Sequence, residues 1–260
     1  MGGDRPLRLL QLTDSHLRAA ADGLLKGWPT RESLELALHA ALDGEAAPDA
    51  ILATGDLSQD GSRESYGHFR DLLSGLNVPV FCIPGNHDNP ATMAAELSRP
   101  PFHYCGDHRF DSWRLVMLPT WDGDRGGGRL TDEELQRLES VLEESAEPHV
   151  LVVLHHHPVP VESWLDKVAL DNAAEFLAIT DRCARIRGIV WGHVHQAHDS
   201  ERRGVRMLGT PSTCFQFVPR VRQSDVDLQA GPGWRWLELM PDGSISTRLG
   251  WAPKPEGFGK

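Results

Sequence analysis

Short apolar runs recur along this chain, and most end in a polar block. Leu7-Arg8-Leu9-Leu10-Gln11-Leu12, Ala50-Ile51-Leu52-Ala53, Val78-Pro79-Val80-Phe81-Cys82, His149-Val150-Leu151-Val152-Val153-Leu154 and Ile186 to Trp191 are too short for ordinary helices and too apolar to face water. They predict buried strands. Helical patterns lie between them. Arg31 to Asp43 carries Leu34, Leu38 and Leu42 on one face, with Thr30 placed to cap it. Further helices are expected over about Ser62–Leu73, Ala91–Leu97, a stretch opened by a Thr131/Glu134 capping box and reaching about Glu144, and Asp171–Ala184. The region 102–119 reads as a hairpin whose second arm is Trp113 to Leu118. Segments 17–29, 121–129 and 158–168 read as loops.

After Trp191 the pattern changes. Short strands separated by turns fall near 198–203, 204–209, 214–218, 233–240 and 243–250, and Pro241-Asp242-Gly243 is a hairpin turn. Strand–helix alternation implies parallel strands, and the later meander implies an antiparallel addition. The fold class is therefore α/β (α+β), with two packed mixed sheets and helices outside. No repeat, low-complexity segment or linker divides the chain. One domain is expected over 1–260: 7–195 carries the polar blocks, 196–250 is β-rich, and 251–260 is a loose tail.

Composition narrows the partners. At 260 residues, 40% hydrophobic and 24% charged, the chain is ordinary for a soluble protein, but its formal charge is −11. That argues against a nucleic-acid polymer or an anionic membrane as partner. A small anionic substrate stays compatible if metal ions supply local positive charge. Cys82, Cys105, Cys183 and Cys214 form no C-x-x-C pair and read as reduced thiols. With no apolar N-terminal segment and no membrane-length apolar run, a cytoplasmic protein is expected. The antiparallel C-terminal part offers an edge for a homodimer.

The blocks at the strand ends carry the chemistry. They are Asp14-x-His16, Gly55-Asp56, Gly85-Asn86-His87-Asp88, His155 and Gly192-His193-x-His195. Ligands of open α/β sheets bind at the carboxyl ends of strands, so these blocks can converge on one edge. Carboxylates, imidazoles and an amide oxygen suit divalent first-row transition metals. Asp14, His16, Asp56, Asn86, His155, His193 and His195 are more donors than one ion takes, which points to two ions sharing a carboxylate. Asp56, on a central strand, is the natural bridge. Two divalent ions against two carboxylates leave a net positive site that attracts phosphate.

In order and kind, the five blocks resemble the signature motifs of the calcineurin-like metallophosphoesterase superfamily. The resemblance implies a four-layer αββα sandwich. It implies a first ion on Asp14, His16, Asp56 and His195, and a second on Asp56, Asn86, His155 and His193. Leu154 to Pro160 with Ser163-Trp164-Leu165-Asp166, Thr210 to Phe217, and Pro232-Gly233-Trp234-Arg235 resemble the CpdA-like branch of bacterial class III 3′,5′-cyclic nucleotide phosphodiesterases. That branch implies hydrolysis of cyclic AMP to 5′-AMP by a water or hydroxide bridging the ions, with Fe and Mn as the metals. Asn86 and His87 then carry catalysis. His16, Asp56, Asn86, His87 and His195 contact substrate, with His156 a further candidate.

Some residues keep two readings. Asp88 either orients His87 or caps the next helix. His156, next to the chosen ligand His155, should point the other way along the strand, and His157 should pack or sit in a loop. Trp164 and Phe215 either stack on a base or pack at the rim. A broader phosphodiesterase or phosphomonoesterase would keep the same site and differ in the loops at 17–29, 121–129 and 158–168. A non-catalytic metal-binding scaffold would have lost ligands, and none is missing. A metallo-β-lactamase-type hydrolase would want H-x-H-x-D-H early, whereas H-x-H here comes late, at His193 and His195.

Overall fold

The computed structural model describes residues 5–123 and 125–256. The chain runs β1 (Leu7–Leu12), a small hairpin of β2 (Leu24–Leu25) and β3 (Trp28–Pro29), α1 (Thr30–Leu42), β4 (Ala50–Ala53), α2 (Arg63–Leu73), β5 (Val80–Cys82) and α3 (Pro90–Glu96). It continues through β6 (Phe102–Tyr104), β7 (Gly106–Phe110), β8 (Trp113–Met117), α4 (Asp132–Glu144), β9 (His149–Val153), α5 (Ala173–Thr180) and β10 (Ile186–Trp191). Last come β11 (His198–Arg202), β12 (Val205–Gly209), β13 (Gln216–Phe217), β14 (Val226–Asp227), β15 (Gly233–Leu239) and β16 (Ile245–Trp251).

Two six-stranded mixed sheets result, in the orders β16-β15-β1-β4-β5-β6 and β11-β12-β10-β9-β8-β7. Period-two alternation explains the layers. Leu9, Leu52, Leu151 and Val153 pack between the sheets. Leu10, Ile51 and Ala53 face outward onto α1 and α2, where Leu34, Tyr66 and Phe69 meet them. Val150 and Val152 face the other way onto Leu138 of α4 and Phe176 of α5. The layers are therefore helix, sheet, sheet, helix, as the resemblance implied.

One polar network crosses between the sheets. Buried Gln11 donates to Thr54 Oγ1 at 3.0 Å and to the Trp191 carbonyl at 3.1 Å, and accepts from Thr210 at 2.6 Å. Arg235, 2% exposed, donates to Thr210 Oγ1 and to the Gly209 carbonyl. A buried network survives only when its members are satisfied, so these bonds fix one sheet against the other near the strand ends.

Several local expectations change. Thr30 starts α1 but does not cap it; Pro29 holds that position without a side-chain bond. Thr131 caps α4 by accepting from the Glu134 N–H at 3.2 Å, but the Glu134 carboxylate turns to Arg137. The helix expected over 171–184 is cut to Ala173–Thr180. The region 102–119 is not one hairpin: β6 joins the first sheet parallel to β5, and β7 pairs with β8 in the second. The β-rich part is divided too. β15 and β16 add antiparallel strands to the first sheet, whereas β12 runs parallel to β10 in the second. The tail is held as far as Pro255, since Ala252 donates to the Pro232 carbonyl and both residues are buried; its last four residues lie outside the described ones. The cysteines are unpaired. Among the described residues no helix is long and apolar enough to cross a membrane.

Candidate metal centre

β4 lies between β1 and β5 in the first sheet, and β9 lies beside β10 in the second. The five polar blocks follow the carboxyl ends of these strands. Pairing continues past the strands: Asp14 N–H donates to the Gly55 carbonyl and His16 N–H to the Asp56 carbonyl, both at 2.9 Å. The two sheets divide the chemistry. Of the seven ligand candidates, both carboxylates, the amide and one imidazole come from the first sheet, and the other three imidazoles from the second.

The backbone at these positions is unusual. Asp14, His16, Asp56, His193 and His195 have φ of 54°, 48°, 50°, 64° and 46°. Left-handed backbone costs an L-residue roughly 1–2 kcal/mol, and Asp and His tolerate it better than most. Five such residues around one centre are strain that the surrounding packing must hold, a pattern that clusters at functional sites. Two glycines permit the close approach. A Cβ at Gly192 would lie 2.0 Å from Thr13 Oγ1 and 2.7 Å from Asp14 Oδ2. At Gly55, with φ of 95°, it would lie 2.4 Å from His155 Nδ1.

Asp14, His16, Asp56, His155 and His195 are all at most 3% exposed, and His193 is 7% exposed. His195 Nε2 lies 3.3 Å from Asp14 Oδ1 and 3.0 Å from His16 Nε2. His155 Nε2 lies 3.4 Å from Asp56 Oδ2 and 3.3 Å from Asn86 Oδ1. Donor atoms of Asp14, His16 and His195 fall within 4.8 Å of one another, as do those of Asp14, Asp56 and His155. The far nitrogens are tied to the backbone: His155 Nδ1 is 2.7 Å from the Thr54 carbonyl, and His195 Nδ1 is 2.7 Å from the Phe215 carbonyl. A bond of this kind holds the ring with Nε2 toward the centre, a lone pair for a cation once the ring is neutral.

Electrostatics make the same point. Burial alone would raise the Asp14 and Asp56 pKa values, but His195 beside Asp14 and His155 beside Asp56 hold both carboxyls below their usual range. Burial disfavours a proton on His155, yet Asp56 and Asp14 outweigh it and push the imidazole up to about 9. Burial dominates at His16, which falls to about 3, and at His193, which falls well below its usual value. Ion-free, the centre thus keeps a proton on His155 to offset buried carboxylates; a cation there would take that proton's place.

The residues fit metal ions. His193 Nε2 and His16 Nδ1 are buried without a hydrogen-bond partner among the described residues. Orphaned buried nitrogens beside ionised carboxylates are costly unless something else binds them. The donor set is hard and borderline, with no thiolate.

The neighbours of these residues settle some open readings. Asn86 and His87 line a cleft of about 390 Å³ together with His16, Asp56, His193 and His195. His87 is placed edge-on to His16, with ring centroids 5.2 Å apart. Asp88 neither orients His87 nor caps α3. Its buried carboxylate accepts from the backbone N–H groups of Gly85 and Ser58 at 2.9 Å, Leu57 at 3.2 Å, and Tyr66 OH at 3.0 Å. It therefore clamps the Asn86–His87 turn to the Asp56 turn. Burial, then the nearby Asp56, push its pKa up to about 7 against those bonds. The cap of α3 is Asn89, which accepts from Thr92.

His156 does not point away from the centre, nor does it line the cleft. It is fully buried, holds Thr120 Oγ1 at 2.7 Å through Nδ1, and its donor atom groups with those of His155 and His193. The strand has ended at Val153, so strand alternation no longer governs the triple histidine. His157 is packed, its ring 5.8 Å from that of His193 and nearly parallel to it. Phe215 is 2% exposed beneath His16 and His195, which removes it as a base platform. Gln59 was not foreseen: its amide Nε2 lies 3.0 Å from His87 Nδ1. Its place three residues after Asp56, on the same polar loop, was the available signal.

The profile of the calcineurin-like phosphoesterase family matches residues 7–197. The chain is 38% identical over 248 residues to the 3′,5′-cyclic adenosine monophosphate phosphodiesterase CpdA of Vibrio vulnificus, covering 95% of this chain and 90% of that protein. It is 36% identical over 255 residues to the Escherichia coli (strain K12) protein of the same name, covering 96% and 91%. Among solved structures, a dimetal phosphatase from Danio rerio superposes with a TM-score of 0.66 at 13% identity, covering 94% of this chain and 99% of that one. This last likeness concerns the fold alone.

Proposed function

The chain belongs to the calcineurin-like phosphoesterase family, and from that premise we propose that it hydrolyses the 3′ ester of 3′,5′-cyclic nucleotides, with cyclic AMP the main substrate and 5′-AMP the product. The relatives' activity supports the substrate. The observation that carries the chemistry is the convergence of buried carboxylate and imidazole donors within 4.8 Å of one another beside an open cleft.

In this reading Asp14, His16, Asp56 and His195 hold one ion, and Asp56, Asn86, His155 and His193 hold a second. We assign the pair as iron and manganese. Such ions would supply Lewis acidity and an ionised water near neutral pH.

The chain's own residues do the rest. Thr13 donates to Asp14 Oδ2 at 2.6 Å, and the His193 N–H donates to the same oxygen at 2.9 Å, fixing that carboxylate's direction. The His87 N–H donates to Asp56 Oδ1 at 2.8 Å, which ties the catalytic turn to the central carboxylate. Asn86 turns its Oδ1 toward His155, leaving its NH₂ to meet a phosphoryl oxygen as negative charge grows there. When the Gln59 amide donates to His87 Nδ1, the ring proton sits on Nε2. That N–H is then the donor for the departing 3′ oxygen.

The test is turnover of cyclic AMP with added Mn²⁺, read as 5′-AMP. The wild-type chain should form 5′-AMP and lose the activity to a chelator. Turnover of simple phosphomonoesters with none of cyclic AMP would overturn the substrate assignment.

A further inference from the structure

The cleft extends beyond the candidate metal centre, and its far side differs in kind. One wall is Leu25, next to the tip of the β2–β3 hairpin; the other is Trp164 and Val168 of a 3-10 turn, Trp164–Val168, with Phe217 behind. We propose that this slot is the nucleobase subsite, in which the purine stacks on Trp164 opposite Leu25 while Lys26 draws the anionic nucleotide into the cleft. The proposal rests on the cyclic nucleotide reading and adds which part of the substrate each wall takes.

Both walls are fixed before any ligand arrives. The hairpin is anchored by Trp28, which is fully buried, and turns through Lys26 and Gly27 with φ of 51° and 86°. Two successive positive φ values are those of a tight hairpin turn, so Lys26 is held at its tip. Opposite, Ser163 and Asp166 form a reciprocal capping box around the 3-10 turn. Asp166 also accepts from the Val161 N–H at 2.8 Å, and the Trp164 N–H donates to the Val221 carbonyl at 2.9 Å. Preorganised walls spare the ordering cost of binding.

The chemistry of the slot suits a base and not a phosphate. Trp164 is half-buried and lines the cleft, its ring perpendicular to that of Phe217 at 5.1 Å between centroids. Leu25 is also half-buried. Every base has a π-face, and stacking on an aromatic side chain is the usual way to hold one without reading its edge. Lys26 is exposed, and among the described residues it makes no hydrogen bond or ion pair. In a chain of net charge −11 it is, among the described residues, the one lysine or arginine lining this cleft. A cation left unpaired at the mouth of a cleft raises the local concentration of an anionic ligand.

The test compares two ligands that share sugar and phosphate but differ in the base. Inhibition constants of 5′-AMP and ribose 5-phosphate are measured against hydrolysis of a chromogenic phosphodiester, with Mn²⁺ present. The wild-type protein should bind 5′-AMP about tenfold or more tighter. Trp164→Ala should bring the ratio close to one, leaving the constant for ribose 5-phosphate nearly unchanged. Because Trp164 touches Phe217, Leu25→Ala on the exposed hairpin is the second variant, and it should lower the ratio about threefold. Lys26→Glu should weaken both ligands and flatten their dependence on ionic strength. A ratio near one in the wild-type protein, or a ratio unmoved by both apolar variants, overturns the subsite. Failure to turn over cyclic AMP with the ratio intact would count against the substrate reading instead, so the two can be told apart.

Discussion

The two ends of the sandwich make an instructive pair. At the carboxyl ends of the parallel strands lies the cleft of about 390 Å³ beside Asp14, Asp56 and the histidines. At the other end, where β1 and β8 begin and β15 finishes, a cleft of about 420 Å³ lies against Arg5, Asp49, Arg109 and Trp113. Size does not separate them; the state of their polar groups does. At the second cleft the charges answer one another. Arg5 grips Asp49 with two bonds of 2.7 and 2.8 Å, Arg8 N–H donates to Asp49, Arg109 faces Glu147 at 3.5 Å, and Trp113 Nε1 donates to the Met240 carbonyl. At the first, buried nitrogens of His16 and His193 have no partner among the described residues, and Asp14, His16, Asp56, His193 and His195 all hold left-handed backbone, against Asp111 alone in the lining of the second. A folded chain rarely leaves buried polar groups unsatisfied without use for them. The end that tolerates both costs is the one that functions.

The sharpest way to break the comparison is to exchange the ends as targets. Asp56→Ala should lower phosphodiester turnover at least about 10³-fold and Asn86→Ala about 10²–10³-fold, by the scale of lost electrostatic stabilisation. Arg5→Ala should leave kcat/KM within about twofold. A comparable loss from Arg5→Ala would erase the distinction.

A subtler change tests the packing around the centre. Gly192→Ala forces a methyl against Thr13 and the Asp14 carboxylate. Isothermal titration should show Mn²⁺ affinity reduced by about 10–100-fold, the range typical of disturbing the groups that orient metal ligands. Comparable in size is the effect of ions on unfolding. Mn²⁺ at 100 times its Kd should stabilise the wild-type protein by about 2.7 kcal/mol per independent site. Asp49→Ala should keep that gain, since it alters only the far end, and Asp56→Ala should lose most of it. The smallest effect belongs to Arg5→Ala, whose exposed ion pair should barely move the thermal midpoint.

Much of the fold was legible because it is written in short, local signals. Apolar runs place β1, β4, β9 and β10, and each ends where its polar block begins. What was not legible is non-local. Nothing in Phe102 to Met117 says that the chain leaves one sheet after Tyr104 and enters the other at Gly106. Nothing after His198 says which strands return to which sheet. The blocks themselves were readable as donor types in order, but their conformations were not: no local rule puts five ligand candidates at positive φ. The role of Asp88 is hidden for the same reason, since its partners Leu57 and Ser58 follow another strand and Tyr66 lies on α2. The β2–β3 hairpin lies in a stretch that reads as plain loop, because two-residue strands carry no period.

The central claim is that two ions share Asp56 at the joined strand ends. It is tested most directly by measuring bound metal per chain, by elemental analysis of protein purified with Mn²⁺ and iron, in the wild type and in Asp56→Ala, alongside turnover of cyclic AMP. The account predicts two ions per chain and 5′-AMP as product, falling to at most one ion and no measurable turnover in Asp56→Ala. Two ions retained with undiminished turnover in that variant would contradict it.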